Sequence, residues 1–276
     1  MNEVRKRRSH RLCRFVAFRE YFCYNEKTEV MALDAFVMEI AGLPVQVQPL
    51  FETTGVYCRN YLTKREPVCC IEIHRADLEQ EQRLLNLEAD EEGLKRRKFP
   101  EPFLERSVIQ RRIADALLER NVLMLHGSTV AVDAQAYLFT AACGTGKSTH
   151  TRLWRELLGV RAVMVNDDKP FLRFTGDGIL ACGSPWSGKH GLDTNISVPL
   201  HGICILKRGP ENKIHRIGAG ECREMLRQQC HVPEGMEDRV EALLSDLTER
   251  VALWEMECTK EIQAAQTAYG AMHVQK

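Results

Sequence analysis

The chain has 276 residues, 44% of them hydrophobic, which is enough for one large domain or two unequal ones and excludes wholesale disorder. Lys plus Arg equals Asp plus Glu at 38 each, so the formal net charge is zero and the basic excess of a nucleic-acid binder is missing. Eleven cysteines occur without any CxxC pair, which excludes a zinc ribbon or a thioredoxin-type motif. Cys143, Cys182, Cys204 and Cys258 stand in or beside apolar runs, as free thiols of a reducing cytosol do. No apolar run approaches the roughly 20 residues that span a bilayer, and no signal peptide is evident. A cytoplasmic protein, bound to neither membrane nor nucleic acid, is expected.

Residues 1–30 form a basic and aromatic tail whose order the sequence leaves open. Residues 31–100 read as a small β-rich region. AFVMEIAG, PVQVQPL, VYCRNYL and PVCCIEI are strand-like and separated by turn residues, which suggests a small antiparallel sheet with PVCCIEI buried. RADLEQEQRLLNLEADEEGLKRRK, within 75–98, reads as a solvated helix and connector. After Pro100 and Pro102, Leu104, Val108, Ile109, Ile113, Leu117 and Leu118 recur at helical spacing, as on a core-facing stripe.

From residue 101 the pattern becomes that of an ATP-binding α/β domain. VLMLHGSTVAVD and AQAYLFTAA read as two strands joined near Asp133, and THTRLWRELLG reads as a helix stopped by Gly159. AVMVNDD is a further strand, FLRF and ILACG form a hairpin around Asp177-Gly178, and GICILKRG returns to strand. Residues 219–249 read as helical, VALWEMEC as the last strand and TKEIQAAQTAYGAM as the last helix.

Between the strand YLFTA and its helix lies Cys143-Gly144-Thr145-Gly146-Lys147-Ser148-Thr149. A phosphate cup needs consecutive backbone N–H groups turned inward, hence glycines at tight or positive-φ positions. It also needs a lysine for the outer phosphates and a hydroxyl for magnesium. Ala141 stands where the general pattern has its first glycine. A dinucleotide fingerprint is excluded, because Thr149 occupies the third glycine position. The loop is read as a nucleoside triphosphate site.

Asn166-Asp167-Asp168-Lys169 ends a downstream strand. Two adjacent carboxylates there suit one metal partner and one proton acceptor for phosphoryl transfer, although the same residues also make a good turn. His126, in LHGST, stands before the loop strand as either a site or a structural residue. The loop Gly183–His190 gathers Trp186, Ser187 and Lys189 among glycines. Trp186 is either an anchor or a contact, while Ser187 and Lys189 suit an acceptor or phosphate.

Taken in order, His126-Gly127, the AxxGTGKST of Ala141–Thr149, the NDDKP of Asn166–Pro170 and the GSPWSGK of Gly183–Lys189 resemble the HPr kinase/phosphorylase-like serine kinases of the phosphoenolpyruvate carboxykinase-like group. The resemblance covers roughly residues 120–272. It implies an α/β fold with a mixed-sheet P-loop core, and it implies ATP and Mg2+. It further implies that Lys147 binds the β- and γ-phosphates, that Ser148 and Asp168 hold the metal, that Asp167 is the acid/base on the acceptor, and that His126 lies near the transferred phosphate. Homo-oligomers are common among such relatives. Thr149 departs from the glutamate usual in the bifunctional HPr enzymes, and no HPr-specific docking signature is present. The expected activity is transfer of the γ-phosphate to a hydroxyl on a protein, peptide or small molecule. The alternative is an ATP-dependent regulatory module without transfer.

Overall fold

The computed structural model describes residues 34–91, 93 and 95–273. The basic and aromatic segment 1–30 lies outside the described residues. β1 (Phe36–Ile40) and β2 (Leu43–Gln48) form an antiparallel hairpin, its two-residue turn made by Ala41 and Gly42, both at positive φ. Met38, Ile40, Val45 and Val47 alternate onto its buried face.

VYCRNYL is not a strand. Its residues belong to α1 (Glu52–Tyr57) and a 3-10 turn at Arg59–Tyr61. Thr54, Cys58 and Tyr61 are buried at i, i+4 and i+7, a helical period that the β-favouring composition concealed. This segment is a crossover, so β3 (Cys69–Glu72) pairs parallel to β2 and the sheet is mixed rather than antiparallel. β3 is an edge strand, and only Ile71 is buried there while Cys70 is exposed.

α2 (Arg75–Glu91) is not solvated all round, because Leu78, Glu81, Leu85 and Glu88 are buried. They face α3 (Glu101–Leu118), whose Arg111 donates to Glu81 Oε1 at 3.0 Å and to Glu88 Oε1 at 3.1 Å. The six apolar residues of the expected α3 stripe are all buried. Five of them, Leu104 to Leu117, share one cluster with Met38, Val45, Phe171 and Trp186, while Leu118 packs into a second core.

VLMLHGSTVAVD, expected as one strand, is two. β4 (Val122–Met124) pairs with β8 (Phe171–Phe174), while β5 (Ser128–Val132) lies between β6 (Gln135–Thr140) and β7 (Ala162–Asn166). The chain breaks at His126-Gly127 because those amides leave the ladder: His126 N–H donates to Gln229 O and Gly127 N–H to Asp168 O. α4 (Lys147–Leu158) follows β6, and Gly159 ends it as expected.

Among the described residues the large sheet has nine strands: seven in the order β4-β8-β9-β10-β6-β5-β7, with β9 at Ile179–Cys182 and β10 at Ser197–Arg208, and two more that branch from β10. β10 pairs antiparallel with β9 through Ser197–Pro199. Beyond that it runs parallel to both β6 and β12 (Ala252–Cys258). β11 (Lys213–Arg216), not anticipated from the sequence, pairs with β12. Alternate residues of β6 fill two cores. Tyr137 and Phe139 pack with α4 and α7 (Ile262–Met272), while Ala136 and Leu138 pack with α5 (Ala219–Arg227) and α6 (Glu237–Arg250). The result is a mixed α/β architecture in which the glycine loop at 141–146 leaves the carboxyl end of a central strand. Among the described residues no helix is long and apolar enough to cross a membrane.

Candidate active site

β6 ends at Thr140 and α4 begins at Lys147, so the candidate phosphate loop is a tight link between a central strand and a helix N-terminus. Gly144 and Gly146 stand at φ +71° and +124°, a region costly for any side chain. Ala141 is not at positive φ, which explains why a methyl replaces the hydrogen there without strain. No side chain caps the start of α4, so its first amides stay available to an anion. Ala142, Cys143 and Gly144 are exposed, whereas Lys147 is buried with Nζ donating to Ala141 O at 3.0 Å. Cys143 is therefore not the buried thiol that its apolar neighbours suggested.

Asn166 organises the acids. Its Oδ1 accepts from the amides of Asp168 (2.8 Å) and Lys169 (2.6 Å), and its Nδ2 donates to Ser184 O (2.8 Å), Ser184 Oγ (3.0 Å) and Trp186 O (3.3 Å). This bend turns the two carboxylates apart. Asp167 accepts from Ser128 Oγ at 2.6 Å and from the Ser148 hydroxyl, and Thr151 Oγ1 lies 2.7 Å from Ser128 Oγ. Burial pushes the Asp167 carboxyl above its ordinary value, against the pull of Ser128, Ser148 and His190. Asp168 lies 3.3 Å from His126 Nε2 and 3.8 Å from Lys169 Nζ. Burial would raise it too, but Lys169, His126 and Lys147 outweigh that and bring it down to about 2. Burial, followed by the charge of Lys169, lowers His126 to about 4, so the ring is neutral near pH 7 and donates Nε2–H to Asp168.

A cavity of about 450 Å³ opens where these groups meet, within the range of ligand sites. His126, Lys147, Ser148, Asp167 and Asp168 line it, together with Cys143, Gly144, Gly146 and Thr149 from the loop and Lys189 from the opposite rim. Thr145 lies on the other side of the loop, facing a second cavity. Trp186 and Ser187 do not line the first cavity. Trp186 is buried with Nε1 donating to Arg106 O at 2.9 Å, and Ser187 Oγ donates to Asp193 Oδ2 at 2.5 Å.

Several lining residues escaped the sequence reading. Arg152 and Arg155 follow Ser148 at i+4 and i+7 on α4, a spacing that was legible but unremarkable without the cavity. Behind the lining, Ser128 and Thr151 carried no signal either, because only the fold brings β5 and α4 beside Asp167. Among the described residues no group of three or more His, Cys, Asp or Glu is placed to hold a metal. The available donor set is instead one hydroxyl and one or two carboxylates beside a phosphate cup, which fits Mg2+.

No protein-family model and no curated protein matches the chain. Among solved structures it is similar to the HPr(Ser) kinase/phosphatase from Coxiella burnetii, at 12% identity and a TM-score of 0.26, over 45% of this chain and 94% of that one. At that TM-score the likeness assigns neither a fold nor an activity to this chain.

Proposed function

We propose that the chain is an ATP-dependent phosphotransferase that passes the γ-phosphate to a hydroxyl on a protein, peptide or small-molecule acceptor. The observation that carries this reading is the convergence of an open phosphate loop, a buried lysine and two differently held carboxylates on one cavity. A binding module needs the loop alone. The second carboxylate, desolvated and held by two hydroxyls, adds a base.

In this reading the loop amides and the N-terminus of α4 bind the triphosphate, and Lys147 Nζ leaves Ala141 O for the outer phosphates. Ser148 and Asp168 would hold Mg2+, which when bound supplies charge neutralisation across the β- and γ-phosphates. Asp168 suits that place because Lys169 and His126 keep it ionised. Asp167 receives the acceptor's proton, and Ser128 fixes the carboxylate for that transfer. His126 orients Asp168 through Nε2 and stands beside the transferred phosphate. Lys189 and His190 form the rim from which the acceptor approaches.

The test is ³¹P NMR of the protein with ATP and Mg2+, with and without a desalted lysate of its host, for wild type and Asp167→Asn. The expected result is a new phosphoester that needs Asp167 and falls by about 10²- to 10⁴-fold in rate without it, while ATP binding persists. Transfer retained by Asp167→Asn removes Asp167 from the base role. ATP binding with no phosphoester from any hydroxyl acceptor makes the chain a nucleotide-gated regulatory module instead.

A further inference from the structure

We propose that Arg155 and Lys189 form an anion subsite for the acceptor, so that the phosphorylated hydroxyl belongs to a molecule or peptide carrying a carboxylate or phosphate a few bonds away. The proposal rests on the transferase reading of the cavity and narrows its substrate class.

The cavity holds more cationic charge than a nucleotide uses. Five Lys and Arg side chains line it, Lys147, Lys169, Lys189, Arg152 and Arg155, against the two carboxylates of Asp167 and Asp168. Lys147 serves the outer phosphates, Lys169 stands 3.8 Å from Asp168, and Arg152 is paired with Glu156, the one acid of α4. That leaves Arg155 and Lys189, neither of which forms an ion pair among the described residues. A guanidinium and an ammonium facing one cavity suit a carboxylate or a phosphate.

Their place in the fold assigns that anion to the acceptor. Ser148, Thr151 and Arg155 stand at i, i+3 and i+7, on one stripe of α4. The first two face the base: the Ser148 hydroxyl donates to Asp167, and Thr151 Oγ1 lies 2.7 Å from the Ser128 Oγ that holds Asp167. Arg155 is one turn further, about 6 Å along the axis and away from the loop. The other wall is the tip of the loop that begins at Gly183. A Cβ on Gly188 would come within 3.2 Å of Asp168 Cβ, and His190 is close enough for its charge to bear on the Asp167 carboxyl. Leu192, on the same segment, lines the cavity and packs into the core that holds Leu153 and Trp154 of α4. The tip carrying Lys189 therefore runs from the acids along α4. In-line transfer puts the attacking oxygen on the side of the γ-phosphate opposite the leaving β-phosphate. With the β-phosphate in the loop, the acceptor lies on the far side of Asp167, between Arg155 and Lys189.

The test is calorimetry of the full chain saturated with Mg2+ and the non-hydrolysable analogue AMP-PNP, titrated with inorganic phosphate or acetate, for wild type, Arg155→Gln and Lys189→Gln. The analogue fills the phosphate loop, yet one anion should still bind to wild type. Each variant should weaken that anion about tenfold or more, as loss of one charge-assisted hydrogen bond does. AMP-PNP affinity should be unchanged, which also shows that the variants are folded. Tighter binding of phosphate assigns a phosphorylated acceptor, and equal or tighter binding of acetate assigns a carboxylate. In phosphoester formation from the host lysate, Arg155→Gln should raise the amount of lysate needed for half-maximal rate about tenfold, with the KM for ATP unmoved. A wild type that binds neither anion beside AMP-PNP overturns the subsite. Variants that lose AMP-PNP and the anion alike also overturn it and return both cations to the nucleotide. Anion binding without any phosphoester overturns the transferase reading and the acceptor's role together. A phosphoester whose dependence on lysate ignores Arg155→Gln overturns the acceptor's role alone.

Discussion

Two glycine-bearing loops face the same cavity, and they are built in opposite ways. The glycine loop Ala141–Gly146 is largely exposed and is held mainly through its carbonyls, and no side chain caps the helix start that follows it. The loop that begins at Gly183 starts buried. Gly183 has no room for a Cβ, which would meet Thr194 O at 2.0 Å. Ser184 Oγ donates to Lys169 O at 2.7 Å, Tyr57 OH donates to Pro185 O at 2.7 Å, and Trp186 is tied to Arg106. Only Lys189 and His190 emerge at its tip. Similar composition thus serves in one place to expose backbone and in the other to consume it. A glycine-rich polar loop becomes a ligand site where its hydrogen-bonding groups are left over, and a brace where the protein uses them.

The sharpest break of this comparison is Trp186→Ala. It removes a ring packed against Phe171 in the N-terminal core and should cost about 3–5 kcal/mol of stability in urea unfolding, with ATP affinity of the folded fraction unchanged. A loss of ATP affinity at unchanged stability would make Trp186 a ligand contact rather than a brace.

Lys147→Ala should do the reverse. Transfer should fall by about 10²- to 10³-fold, as for removal of a charge-stabilising donor, while the unfolding midpoint barely moves. A large loss of stability would show that the loop is itself structural.

A smaller effect comes from protons. His150, two residues beyond Ser148, is buried against Phe139 and accepts from Trp154 Nε1 at 3.2 Å, and burial lowers it from 6.5 to about 4. His126 is depressed over the same range. Both rings are neutral in the folded chain and gain a proton on unfolding below 6.5. Their contribution is therefore complete above pH 6.5 and is lost as pH falls toward 4. Each adds up to about 1.4 kcal/mol per pH unit. Urea midpoints from pH 7 to 4.5 should fall less steeply for His150→Gln than for wild type. Equal slopes would show that His150 is protonated in the folded chain.

The smallest effect sharpens how the N-terminal region reaches the site. Tyr61 OH donates to Asp193 Oδ1 at 2.8 Å, and Asp193 holds Ser187. Tyr61→Phe should cost about 1 kcal/mol and loosen the tip without changing ATP affinity. Hydrogen exchange at residues 187–193 should rise, and unchanged exchange would sever that link.

Much of this was legible in particular residues. The stripe from Leu104 to Leu118, the turn at Asp133 and the hairpin around Asp177-Gly178 have periods or turn chemistry that no tertiary contact needs to supply. GTGKS was legible for the same reason, since positive φ and an uncapped helix start are local demands. Tyr57–Tyr61 was not, because its aromatic content favours a strand and only the crossover to β3 makes it helical. The break at His126 was equally hidden, its amides being satisfied by Gln229 and Asp168 from distant segments.

By itself, then, the sequence determined a strand, a glycine loop and a helix in succession, and two acids at the end of a later strand, since each follows from local backbone and charge. The tertiary structure alone decided that Asp167 meets Ser128 and Ser148 while Asp168 meets His126. It also decided that Trp186 and Ser187 face inward, and that a second cavity backs the loop. Those outcomes depend on which groups from distant segments use up each hydrogen bond and each charge, and spacing along a chain does not record that.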